Sequence, residues 1–240
     1  MKKRGLIVFL VLAVTGSTLA CSAIGGATKG SGRVVTSTID VHGFSGVTFA
    51  AFGNLYIEVG SAEELRIEVD DNLVSYFEAN VDNKMLTIGV KEGANLEPSD
   101  EVNFYLTVKE LDTIVLTGAG KVETAGLRAG QFSVDLSGAG DLTMAGLSAD
   151  SLQVDITGAG TLEIQSGYVD DQTVTISGAG DYKAEKLQSA RATVEITGSG
   201  SATVWAVREL AVKGTGAGKV EYTGNPQLST EGSVSVKPLE

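Results

Sequence analysis

The chain has 240 residues, 42% of them hydrophobic, with 31 glycines, one cysteine, one histidine and a formal charge of −12. That apolar share supports one large domain or two small ones, and the glycine count suits a fold with many tight corners. The charge argues against nucleic acid and anionic headgroups as partners, one cysteine excludes a disulfide framework, and one histidine gives little to a Ser–His or Cys–His nucleophile.

Lys2, Lys3 and Arg4 form a positive head, residues 6–14 are apolar, and "STLAC" follows. This is a secretory signal too short to span a bilayer. The Leu19-Ala20-Cys21 box resembles that of bacterial lipoproteins, so residues 1–20 read as the signal peptide and Cys21 as the lipidated residue. The alternative is an ordinary cleaved signal with a chance cysteine. Loss of the signal deepens the negative charge by three. The expected membrane contact is therefore the lipid, and the acidic body stays in solution. Ser22 stands where an aspartate would resemble an inner-membrane retention signal, which favours the outer membrane in a diderm. With Cys21, residues 22–32 ("SAIGGATKGSG") make a flexible tether spanning roughly 20 Å.

Residues 33–240 read as one all-β domain, with irregular turns over 33–112 and regular repeats over 113–240. In the first part "LRIEV" alternates with period two, and Gly53-Asn54 breaks "VTFAAFGNLYIEV" as a turn or bulge. No amphipathic helix of ten residues is present. The lone His42 sits beside a glycine in a turn and reads as polar surface. Asp70–Asp71 and Asp170–Asp171 are adjacent pairs, better suited to turns than to acid/base work.

From 111 onward six copies of a corner motif recur. Their glycine pairs are Gly118/Gly120, Gly138/Gly140, Gly158/Gly160, Gly178/Gly180, Gly198/Gly200 and Gly216/Gly218. The first glycines are 20, 20, 20, 20 and 18 residues apart. Before the corners, Val134, Val154, Val174 and Val194 share one column and Leu136, Ile156, Ile176 and Ile196 another. After them come Val122, Leu142, Leu162, Tyr182, Ala202 and Val220. A further apolar column reads Leu127, Leu147, Leu187 and Val207. Apolar–polar–apolar alternation on both sides of each corner is the strand period. Twenty residues hold no covering helix, so the fold expected is a single-stranded parallel β-helix, a β-solenoid of about 20 residues per turn. Turns about 4.8 Å apart give roughly 30 Å for six copies. Right-handed coiling follows from the general preference of parallel crossovers.

"LTGAGK" looks like a phosphate loop but fails the test. Val115 occupies the first glycine position of a P-loop, Val122 follows the lysine, and no helix begins there. Across the copies the lysine position becomes Asp, Thr or Ser, so neither phosphate nor calcium chemistry accumulates there. The glycines read as structural, allowing positive φ at a sharp corner. No catalytic residue, cofactor or metal site emerges. Asp135, Asp155 and Glu195 form an outward acidic ladder interrupted by Thr175. Trp205 breaks a column of smaller residues. Asp135, Asp155, Glu195 and Trp205 are the candidate ligand residues, although the ladder also reads as a wet face and Trp205 as packing against Tyr182 or Tyr222.

Four stretches carry a family resemblance: "FGNLYIEVG" (52–60), "VDDNLVSYFEANVDNKMLTIGV" (69–90), "VNFYLTVKELDTIVLTGAG" (102–120) and "VEYTGNPQLSTEGSVSV" (220–236). In this order they resemble the bacterial "putative autotransporter adhesin, head GIN domain" family over about residues 38–237, with Gly-Ala-Gly where that family often has Gly-Ser-Gly. The resemblance implies an exported β-helical domain, often on envelope lipoproteins, and supplies no catalytic residues. The expectation is an envelope lipoprotein, anchored to the membrane by lipid, whose non-enzymatic solenoid binds an extended glycan or protein. The alternatives are a polysaccharide-active enzyme, which requires acids with Lys or Arg clustered across neighbouring turns, and an accessory to an envelope signalling system.

Overall fold

The structure is a computed structural model that describes residues 26–239; the signal and Cys21 lie outside them. It is an all-β solenoid whose stacked strands lie about 20 residues apart. The register is in step along the first face. Lys121 pairs with Asp141, Asp141 with Thr161, Thr161 with Asp181, Asp181 with Ser201 and Ser201 with Lys219, all parallel.

Each regular turn has three runs. The strand Lys121–Leu136 skips a ladder partner at Ala125 and at Gly130. Residues 121–124 then form a first face, 126–129 a second and 131–136 a third, and the Gly-x-Gly corner leads back to the first face. Inward positions hold the apolar columns: Val134, Val154, Val174 and Val194 are fully buried, as are Val122, Leu142 and Leu162. No turn closes a core alone; each relies on the turns above and below.

The corners correct one expectation: a left-handed backbone is not what most of their glycines supply. Only Gly198 and Gly216 among the first glycines have φ in that region, at 131° and 109°. At Gly118, Gly138, Gly158 and Gly178 the requirement is space. A Cβ there would collide with the backbone carbonyl oxygen of the corner one turn below. The second glycines, Gly120, Gly140, Gly160, Gly180, Gly200 and Gly218, depart from the expectation together. None has a positive φ, and all six are buried. A Cβ on Gly140 or Gly160 would strike the carbonyl oxygen of the second glycine below. On Gly120 it would strike the Phe49 ring, on Gly180 and Gly218 the side chains of Ile156 and Ile196, and on Gly200 both the Gly180 carbonyl oxygen and the Ile176 side chain. The first glycine thus lets corners stack backbone on backbone; the second does the same at Gly140, Gly160 and Gly200, and makes room for core side chains at Gly120, Gly180, Gly200 and Gly218.

Residues 33–112 differ most from the expected irregular turns. Gly46–Phe49 and Asn54–Val59 flank a corner of their own and pair in parallel with 113–116 and 121–124. Gly53-Asn54 therefore closes a worn turn of the same solenoid. Below it lie Met85–Val90 and Asn103–Val108, which come later in the chain. The order of these two turns in space is the reverse of their order in sequence. Antiparallel strands cap this end: Val34–Ile39 on Glu64–Asp70, Glu64–Asp70 on Asn103–Val108, and Phe77–Asp82 on Met85–Val90. Phe49, Phe77 and Phe104 fill the capped core with edge-on contacts at 5.3 and 5.6 Å.

Two smaller expectations also change. The tether is shorter than 21–32. Thr28–Lys29 pairs with Leu96–Glu97, and Asp70 accepts hydrogen bonds from Gly32 N at 2.8 Å, Ser99 N at 2.8 Å and Ser99 Oγ at 2.6 Å. Asn72 Nδ2 donates to Lys29 O at 2.8 Å, and Arg33 pairs with Asp71. Val207 leaves its apolar column and is exposed. The 18-residue turn makes the register jump from Ala184↔Val204 to Gln188↔Trp205, so Ala206 takes the inward place.

Candidate functional site

The acidic ladder forms as the columns predict. Asp135, Asp155, Thr175 and Glu195 occupy successive strands of the third face, followed by Lys213 and Glu231, which pair at 3.3 Å. Partial burial, and then the charge of Asp155, raise the Asp135 carboxyl above its ordinary value. Repulsion is thus confined to the Asp135–Asp155 neighbours, and among the described residues no group of three His, Cys, Asp or Glu side chains is arranged to hold a metal ion. Trp205 is not part of it. Its strand pairs with Gln188 on one side and Thr223 on the other, away from the third face.

An aromatic groove lies where no single motif points, on the first face near the capped end. Tyr56 and Tyr105 are adjacent because Asn54–Val59 and Asn103–Val108 pair in register. Both residues are outward: Tyr56 sits between buried Leu55 and Ile57, and Tyr105 between buried Phe104 and Leu106. Their rings stack with centroids 5.4 Å apart and planes 20° apart. The antiparallel strand Glu64–Asp70 places Arg66 beside Tyr105, its guanidinium 5.5 Å from the ring centre. Arg66 is held from behind by Glu64 at 3.1 Å. The Tyr105 hydroxyl donates to Glu68 at 3.0 Å, and burial, with Glu68 next, raises its pKa.

The next strand of this row contributes Glu123, paired with Lys121 at 2.6 Å, which raises the lysine pKa. Beside the row stand Glu58 and the small Ala125. The result is a cavity of about 300 Å³ lined by Tyr56, Tyr105, Arg66, Glu58, Glu123 and Ala125. Its size is at the lower end for ligand pockets. Aromatic walls, a stacked guanidinium and carboxylates fit recognition, because Tyr and Arg contribute large contact areas while ordering few rotamers. The sequence held one clue. "LYI" and "FYL" each place a tyrosine out of phase with two apolar neighbours, which predicts two exposed rings. Nothing local indicates that residues 49 positions apart meet.

A second cavity, about 420 Å³, sits at the corner between the second and third faces. Asp150, Asp170, Asp171, Arg191 and Arg208 line it, and Arg191 binds Asp171 through two bonds of 2.5 and 2.6 Å. The Tyr168 hydroxyl donates to Asp170 at 2.6 Å. His42 remains exposed, 3.6 Å from Asp40, and lines neither cavity.

The family model described as "Putative auto-transporter adhesin, head GIN domain" matches residues 43–226. No curated protein matches the sequence. Among solved structures, a "putative adhesin" from Bacteroides fragilis NCTC 9343 superposes with a TM-score of 0.83 at 21% identity, covering 89% of this chain and 100% of that one. A "putative lipid binding protein" from Parabacteroides distasonis ATCC 8503 gives 0.73 at 23% identity, covering 90% and 100%. A "putative adhesin" from Parabacteroides merdae ATCC 43184 gives 0.71 at 22%, covering 89% and 99%. At these identities the likeness is one of fold, and the groove of Tyr56 and Tyr105 is described for this chain alone. The family match spans most of the chain, both the capped turns and the regular repeats: the chain belongs to the family described as "Putative auto-transporter adhesin, head GIN domain".

Proposed function

We propose that this protein is an exported, lipid-anchored binding module, and that its solenoid recognises an extended glycan or protein segment through the first-face groove. The observation that carries the reading is the Arg66–Tyr105–Tyr56 stack beside a cavity of about 300 Å³. The stack is supported by paired side chains and lies on a flat sheet, so it is preorganised and loses little entropy on binding. The mechanism is display. Lipid on Cys21 holds the chain at the envelope, the residues before Thr28 serve as the leash, and the rigid body presents the groove. The family's adhesin description supports a binding role, and no helix among the described residues is long and apolar enough to cross a membrane.

The test is binding of the purified protein to arrays of envelope and host glycans and to envelope proteins. Tyr56→Ala is expected to weaken the best ligand about tenfold or more, the range of a buried aromatic contact. Binding unchanged by Tyr56→Ala and by Arg66→Ala would refute the groove. Membrane retention lost in Cys21→Ser, with the fold intact, tests the anchor; retention in that variant overturns it.

One observation favours a second reading. The corner cavity brings acids and arginines together across neighbouring turns, the arrangement a polysaccharide-active enzyme requires. Cleavage of anionic glycans that disappears in Arg208→Ala and Asp150→Ala would establish it. Absence of cleavage across such a panel leaves binding as the activity.

A further inference from the structure

The second face carries its own outward row. The register aligns Arg128, Ser148, Tyr168 and Gln188 on successive strands. The short turn then brings Trp205 into the same row, beside Gln188. Trp205 lies between buried Val204 and Ala206 and so faces outward. Gly224 lies beside it: a Cβ there would collide with the Ala206 carbonyl oxygen and sit 3.3 Å from the Trp205 Cδ1, so the indole edge packs next to that corner. Tyr168 is 44% exposed, and its hydrogen bond to Asp170 fixes the ring. Two aromatic side chains thus stand on alternate strands, about 10 Å apart, with a planar amide between them.

We infer that the Tyr168–Gln188–Trp205 row binds a neutral β-linked glycan strand lying along the solenoid axis. A pyranose is about as long as one turn of the solenoid is tall, and an extended β-linked chain presents the same sugar face at every second residue. Aromatic rings at every second strand match that repeat, and the Gln188 amide meets the hydroxyls of the sugar between them. Charge selects the neutral polymer. Arg128, Arg191 and Arg208 nearly balance Asp150, Asp170, Asp171 and Glu209 around the row, whereas the whole chain carries −12. A polyanion is repelled by the body, and a basic chain is drawn to the acidic faces instead. This site is separate from the first-face groove and stands or falls without it.

Trp205 is the only tryptophan, so its emission reports the site directly in the full chain. Cellohexaose and chitohexaose are titrated, with dextran and polygalacturonate as the α-linked and anionic comparisons. The expected result is a saturable blue shift with a β-linked hexasaccharide, little change with the comparisons, affinity about tenfold weaker in Tyr168→Ala, and affinity retained in Tyr168→Phe and in Tyr56→Ala. Circular dichroism confirms that the variants fold. No response to either neutral hexasaccharide, an unaltered response in folded Tyr168→Ala, a response to polygalacturonate alone, or loss of the response in Tyr56→Ala each overturns the inference. The last of these assigns the glycan to the first-face groove.

Discussion

Replacing Gly158 by alanine tests why the corners contain glycine. Gly158 stacks directly on Gly138. A Cβ built on it collides with the Gly138 carbonyl oxygen and lies 2.9 Å from both Gly138 C and Ser137 O. Heavy atoms prefer separations near 3.5 Å, so the upper corner must rise by about 1 Å or more. The corner is held by Thr157 N donating to Leu136 O at 2.9 Å and Ala159 N to Gly138 O at 3.2 Å. A lift of that size stretches both bonds. Overpacking costs about 1–3 kcal/mol, and a weakened backbone bond adds about 1 kcal/mol, so the expected loss is about 2–4 kcal/mol. Ala159→Ser is the control: residue 159 is exposed, the equivalent position in a later copy is Ser199, and the expected change is below about 0.5 kcal/mol. Urea unfolding followed by circular dichroism, with equal m-values required across variants, measures both. A Gly158→Ala protein as stable as Ala159→Ser would refute the close-stacking argument.

The other predictions concern the core, the clamp and the ladder. Buried Tyr182 donates to Gln172 Oε1 at 2.8 Å, so Tyr182→Phe should cost about 1–3 kcal/mol in the same urea assay by orphaning that oxygen, more than a Tyr168→Phe change at an exposed ring. The hydrogen bonds from Ser99, with that from Gly32, hold the Asp70 carboxyl below its ordinary value. Its contribution is therefore complete above the unfolded pKa of about 3.9 and is lost as pH falls through the folded value. Thermal unfolding of Asp70→Asn should accordingly show a smaller drop than the parent between neutral pH and pH about 3, and hydrogen exchange should show residues 28–33 released. Asp135 has the opposite sign. Its raised folded pKa makes the charged form a liability above that value, and the liability disappears as pH falls through the unfolded value. Asp135→Asn should raise stability at neutral pH by about a few tenths of a kcal/mol, since solvent screens the pair, with the gain vanishing below pH about 4.

Much of the fold is legible because the repeat is. Columns that return every 20 residues state which side chains stack, and Val134, Val154, Val174 and Val194 are buried as their column requires. The role of Gly138 or Gly158 as a corner is legible too, but the physical reason is not. Sequence shows that glycine is used without showing whether φ, the carbonyl one turn below or, as at Gly180 and Gly218, a core isoleucine demands it. The N-terminal turns escape the repeat count because residues 60–112 intervene between Asn54–Val59 and its upper neighbour at Lys121. The same interruption hides the groove: Tyr56, Arg66 and Tyr105 come from three strands whose pairing order is not their chain order. The docked segment at 28–33 is polar and short, held by Asp70 and Asn72 rather than by an apolar pattern, so periodicity has nothing to report there. Trp205 is visible as an exception in its column. Its true neighbour, Gln188, depends on a two-residue shortening that moves it to another face.

The most direct test of recognition through the first face is site-specific photo-crosslinking in cells. A photoreactive residue placed at exposed Ala125 reports on the groove, and one at half-buried Thr175 reports on the third face. Adducts are mapped by mass spectrometry. The account predicts that adducts form from position 125, are suppressed by adding Tyr56→Ala, and are sparse from position 175. Adducts from position 175 alone, or equal labelling from both positions with no effect of Tyr56→Ala, would contradict it.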